Sequence, residues 1–174
     1  MKFFKLFLFT AFISLAVSCS KDDSPAPENN SNNIIGVWKG TTVDYRGTTT
    51  TTAQGQTMTA DYVGEAYDVD YTLTFTDNPK KVISDGSYSI ELTTTVNGQS
   101  TTQNVPNLEF LSSGDWSING STLSITIDNE TDEVTIEQLT DTAMVLKGVQ
   151  TETNTGQGFT VVSNTEITLG FTKL

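Results

Sequence analysis

The chain has no histidine, one cysteine, one arginine and four prolines in 174 residues. Each shortage closes off some chemistry. Without histidine, the commonest general base and the commonest metal ligand are missing together. A lone cysteine, Cys19, forms no internal disulfide, so the fold must rest on burial alone. Cations are scarce too: 9 Lys and Arg face 21 Asp and Glu, a formal net charge of −12. Such a body has no counterion-release drive toward nucleic acid and is repelled by anionic lipid. Nucleic acid is therefore excluded as a partner, and nothing in the composition asks for a cofactor.

Long apolar runs are missing as well, with one exception at the start. Lys2 and Lys5 open a stretch in which residues 6–17 are apolar apart from Thr10 and Ser14. A basic start, about a dozen apolar residues and small residues at the end describe a signal peptide. The run falls short of the about 20 residues that a transmembrane helix needs. Losing this segment with its two lysines takes the formal charge to −14. Residues 24–33 are mostly Pro, Glu, Asn and Ser, a spacer composition that buries no core. The expected division is a signal peptide over 1–18, a tether over 19–33 and one folded domain over 34–174.

From Ile34 onward the apolar residues alternate. Tyr67, Val69, Tyr71, Leu73 and Phe75 interleave with Asp68, Asp70, Thr72, Thr74 and Thr76, the pattern of a half-buried strand. Tyr88, Ile90 and Leu92 repeat it, as do Leu123, Ile125 and Ile127, then Val134 and Ile136, Met144 and Leu146, and Ile167, Leu169 and Phe171. Threonine fills the remainder, and its β-branch favours extended chain. Asp77-Asn78-Pro79, Asp85-Gly86, Asn97-Gly98, Asn119-Gly120 and Gly156-Gln157-Gly158 supply turn chemistry between strands. Eight to ten antiparallel strands without a helical period predict an all-β protein, closed as a barrel.

Three groups of residues could carry function. Asp68 and Asp70, at i and i+2 on one strand face, are a carboxylate pair of the kind used in sugar hydrolysis. They lie opposite the apolar face, which makes them solvated surface, and the protein is read as a non-enzyme. Residues 128–133 crowd acidic and amide oxygens into a hairpin but lack the glycine and spacing of a calcium loop, so no metal site is assigned. The apolar inward stripe remains: Tyr71, Leu73, Phe75, Tyr88, Ile90, Leu92, Ile125, Leu146 and Phe171. In a small barrel such residues either fill the interior or line a cavity for one small apolar ligand. A rival reading gives the function to the outer surface. There the threonine run 48–52 or a strand edge would engage a protein partner.

Five stretches resemble known families. Val17-Ser18-Cys19 is similar to the end of a bacterial lipobox, with Ala16 and Leu15 where leucine is favoured three residues before the cysteine. The resemblance implies that Cys19 is acylated, becomes the first residue of the mature chain and serves as the link to the membrane. Its several fatty chains would satisfy the two-anchor requirement for stable attachment. Ser20-Lys21-Asp22-Asp23 resembles the short signal that sends lipoproteins of the Bacteroidetes to the outer face of the outer membrane. Gly36-Val37-Trp38 resembles the Gly-x-Trp that opens the lipocalins. The hairpin segments 114–127 and 134–146 are similar to those of bacterial lipocalin-like lipoproteins. This implies a lipocalin-like up-and-down barrel with Trp38 plugging one end. Many lipocalins cover that ring with an arginine on the last strand; Lys173 is the nearest cation here.

Overall fold

Threonine and the aliphatic residues keep nearly the whole domain extended. In the computed structural model, which describes residues 31–174, a single 3-10 turn (Ser31–Ile34) leads into nine strands. They are β1 (Gly36–Ala53), β2 (Gln56–Asp77), β3 (Lys80–Val96), β4 (Gln99–Leu108), β5 (Gly114–Asn119), β6 (Thr122–Ile127), β7 (Glu130–Leu139), β8 (Ala143–Gly156) and β9 (Phe159–Lys173). Every pairing is antiparallel, and β1 bonds to both β2 and β9. The ring runs β1-β2-β3-β5-β6-β7-β8-β9 and returns to β1. Residues 1–30 lie outside the described part, and with them Cys19 and the segment Ser20, Lys21, Asp22 and Asp23.

Strand length shapes the molecule. β1 and β2 hold 18 and 22 residues, whereas β5 and β6 hold 6 each. The short strands complete only the lower half of the ring. β3 is shared: its lower end meets β5 through just Lys81↔Asp115 and Val82↔Gly114, while its upper part pairs with β4. Above the ring an open six-stranded sheet therefore continues, in the order β4-β3-β2-β1-β9-β8. Trp116 secures the thin β3–β5 seam. Its indole donates to the Thr76 carbonyl at 2.8 Å, and its ring stands edge-on to Phe75. Lys80 lies over its face, and Lys81 pairs with Asp115 at 2.7 Å.

The core fills the lower half. Trp38, Tyr71, Leu73, Phe75, Tyr88, Ile90, Leu123, Ile125, Met144, Leu146 and Leu169 are each at most 1 % exposed and belong to one apolar cluster. The projecting sheet is different, because among the described residues no second layer of strands packs on either of its faces. Its outer face carries cross-strand hydroxyl pairs in ladders: Thr52 with Thr57 at 3.1 Å, Thr93 with Thr102 at 3.0 Å, and Thr95 with Ser100 at 2.8 Å. The run 48–52 is thus ordinary strand in the middle of this sheet.

Three expectations need correction. Strict alternation placed Tyr67 on the face of Tyr71, but a β-bulge interrupts β2 between Tyr67 and Asp70, with Asp68 at φ 51°. One extra residue reverses the phase, so Tyr67 turns outward and Ala66 faces in opposite Ile90. The same bulge separates Asp68 from Asp70, so they are not an i, i+2 pair on one flat strand face. Asp85-Gly86 is not a turn either. It lies within β3 opposite the bulge, where Gly86 has φ 81° and its missing Cβ leaves room for the Asp70 carbonyl. The other turns form as expected, although the Asn119-Gly120 hairpin closes on Gly120 and Ser121, one residue later than the dipeptide suggested.

Candidate functional site

The lower end of the barrel is built around Trp38. Its side chain is fully buried, and its indole nitrogen donates to the Ile34 carbonyl at 2.7 Å. Lys173, from the far end of the chain, brings its ammonium to 5.0 Å from the ring centroid and donates to the Asn33 carbonyl at 2.9 Å. This is a cation–π contact with a second anchor. Gly36 makes it possible: at φ 129°, a Cβ there would stand 2.8 Å from Cε of Lys173. Glycine, tryptophan and lysine therefore act as one plug. The resemblance to Gly-x-Trp pointed to the first two and left Lys173 as the nearest cation; the register places that lysine opposite Trp38.

The nine residues of the candidate cavity come together in one apolar cluster. Tyr71, Leu73, Phe75, Tyr88, Ile90, Ile125, Leu146 and Phe171 are at most 2 % exposed in a single cluster, and Leu92 packs half-buried against its edge. None of the nine lines a described cleft. Burial pushes the pKa of Tyr71 and Tyr88 upward, so both hydroxyls stay protonated in the folded protein.

At the upper mouth, residues 109–113 cross from β4 to β5 and cap the core. Leu111 is buried, and the Tyr71 hydroxyl holds it at both ends. That hydroxyl donates to the Leu111 carbonyl and accepts from its N–H, each at 2.9 Å; Ser84 Oγ donates to it at 3.0 Å. Ser113 adds a second stitch, accepting from the Ser84 N–H at 2.9 Å. A buried tyrosine needs partners for its hydroxyl, and here the loop backbone supplies them.

Beside this cap the barrel wall divides. β7 and β8 pair only as far as Thr135↔Lys147; above that β7 stays with β6 while β8 follows β9 into the projecting sheet. The gap is a cleft of about 580 Å³ between the cap and the two parting strands. Phe110, Leu111, Val134, Gly148 and Ile167 supply apolar lining, and Thr131, Asp132, Glu133, Gln150 and Thr165 supply polar groups. Gly148 leaves space for the Phe110 ring, whose Cε2 would lie 3.2 Å from a Cβ at that position. Above the mouth, Tyr45 and Tyr62 form a tilted pair at 5.9 Å, and Tyr62 shares a hydrogen bond of 2.7 Å with Thr165. Alternation reported the core stripe but not this lining, because Phe110 and Leu111 sit in a loop and the cleft depends on where two strands part.

The acidic turn 128–133 is a tight hairpin. Asp128 and Asn129 take positive φ and Ile127 pairs with Glu130. Among the described residues no group of three acidic, cysteine or histidine side chains is placed to hold a metal ion.

The family model of a lipocalin-like domain matches residues 34–146, from the 3-10 turn into β8. No curated protein and no solved structure matches the chain.

Proposed function

Since the chain belongs to the lipocalin-like domain family, we propose that it carries a small, largely apolar molecule and does so from a lipid anchor at Cys19. The site is the cleft at the upper mouth, not the barrel axis. The carrying observation is that cleft of about 580 Å³, set beside the buried cluster that holds Tyr71 and Tyr88. Its volume falls in the range of about 300–1,000 Å³ that ligand sites occupy. Its lining pairs apolar side chains, Phe110 among them, with polar groups, which suits a ligand with an apolar body and a polar end. The role is binding without catalysis: histidine is missing from the whole sequence, and the candidate carboxylates Asp68 and Asp70 lie exposed at a bulge.

A neutral naphthylamine fluorophore titrated into the full-length chain tests the site. Phe110→Ala should weaken its binding by about tenfold, the equivalent of ~1.4 kcal/mol. Phe75→Leu, a change in the filled core, should leave the affinity unaltered. Binding that is indifferent to Phe110 but sensitive to Phe75 would return the ligand to the barrel axis.

The anchor has its own test. The supporting observations are the apolar leader, the Val17-Ser18-Cys19 junction and the Ser20, Lys21, Asp22, Asp23 segment behind it. Acylation would fix the protein to the outer membrane, with the acidic segment directing it to the outer face. Cys19→Ala should move the protein from the membrane fraction to the soluble fraction. Retention of the variant with the membranes would end the lipoprotein reading.

A further inference from the structure

Among the described residues the projecting sheet ends on two unpaired edges, β4 on one side and the upper half of β8 on the other. An edge strand offers a row of unpaired backbone donors and acceptors, and proteins usually guard it with lysine, proline or a bulge. β4 is guarded only at its lower end. Its sequence from Gln99 to Val105 holds no charged residue, and residues 99–104 are all exposed. Pro106, without an N–H, and Asn107, at φ 57°, then end the regular strand. On the opposite edge, β8 carries Glu152, which accepts a hydrogen bond from Gln150 at 2.7 Å.

We infer that β4 is a homodimer edge, which pairs antiparallel with β4 of a second copy. A chain of net charge −12 repels its own copies over most of its surface, and β4 is a long edge where that repulsion is locally lifted. The symmetry fixes the register. A two-fold axis perpendicular to the sheet sets residues of one face opposite residues of the same face, so one residue must meet its own copy. Between the Asn97-Gly98 turn and Pro106, the longest symmetric run is Gln99 to Val105, and its centre is Thr102. Gln99 then faces Val105 of the second copy, Ser100 faces Asn104, and Thr102 faces Thr102. The Thr93–Thr102 pair at 3.0 Å would continue across the axis, and the two six-stranded sheets would join as one of twelve. Such an isologous contact closes on itself and leaves β8 free. The dimer edge lies at the end of the barrel away from Trp38.

Cysteine placement reads this register directly, because Cys19 is the only native thiol. In the full-length chain carrying Cys19→Ala, Thr102→Cys should become a covalent dimer under mild oxidation. Residues directly opposite in an antiparallel pair have Cα atoms about 4.5–5.5 Å apart, within disulfide reach. Thr153→Cys on β8 should stay monomeric. Sedimentation supplies a second readout: Thr102→Asp should weaken dimerisation by about tenfold through like charges placed face to face. Mixing it with Thr102→Lys should restore a heterodimer. A Thr153 dimer, a mixed Thr102–Thr153 disulfide, or a parent chain that sediments as a monomer at high concentration would each overturn the inference.

Discussion

Replacing Trp38 by alanine is expected to destabilise the domain by about 3–5 kcal/mol, the range for removing a large aromatic side chain from a packed core. That is a large fraction of the about 5–15 kcal/mol that holds a domain folded. The figure belongs near the top of its range for structural reasons. Trp38 is fully buried, its indole satisfies the Ile34 carbonyl, and its ring supports Lys173. Removing it leaves a void at the barrel base and orphans a buried carbonyl at once. Lys173→Met, which keeps the aliphatic stem but removes the cation, should cost only about 0.5–2 kcal/mol. In the Trp38→Ala background the same change should cost clearly less, since its partner ring is already gone. Urea denaturation of the four proteins of this cycle measures both terms. A Trp38→Ala loss below about 1 kcal/mol would show that the base collapses without penalty and that the plug has no structural weight.

Tyr71→Phe is the second large effect and acts at the other end of the barrel. The change removes one oxygen and leaves the ring in place, so the core volume hardly changes. What is lost is the hydroxyl that holds Leu111 through both its N–H and its carbonyl. Leaving buried polar groups unpaired costs about 1–3 kcal/mol. Ser84→Ala removes a single donor to the same oxygen, with a cost nearer 0.5–1.5 kcal/mol. The two variants should also differ locally. In Tyr71→Phe the amide of Leu111 should exchange much faster with solvent, and residues 109–113 should become cleavable by a protease at low concentration. Ser84→Ala should leave both properties close to wild type. If the Leu111 amide stays protected in Tyr71→Phe, the cap is held by packing of Leu111 and Phe110, and the Tyr71 hydroxyl is incidental.

The two variants also separate what pattern can show from what it cannot. Alternation identified Tyr71 as an inward residue, since side-chain direction in a strand follows from the pleat alone. It gave no sign that the hydroxyl would meet a loop 40 residues away in sequence. Trp38 announced itself through Gly-x-Trp, whereas its cation comes from the other end of the chain, 135 residues on. Where alternation failed, at Tyr67, and where turn chemistry failed, at Asp85-Gly86, one bulge was responsible. An inserted residue resets the phase of everything beyond it, and no local residue type at Asp68 signals the insertion. How the inward stripe packs lay beyond pattern for another reason. Inward-facing aromatics look the same in sequence whether they meet each other or a ligand; their summed volume against the radius of the closed ring decides between the two.

By itself the sequence determined the β class, the approximate strand number, most of the turns and the acidic, histidine-free chemistry, because each depends on residue type or on a period of two. Tertiary structure decided the rest. Unequal strand lengths let β5, β6 and β7 close only half a ring and leave an open sheet above it. The parting of β7 from β8 created the cleft, and the same mismatch exposed β4 as an edge. Each of these features arises where two distant strands stop pairing, and pairing over distance is fixed by register, not by the local order of residues.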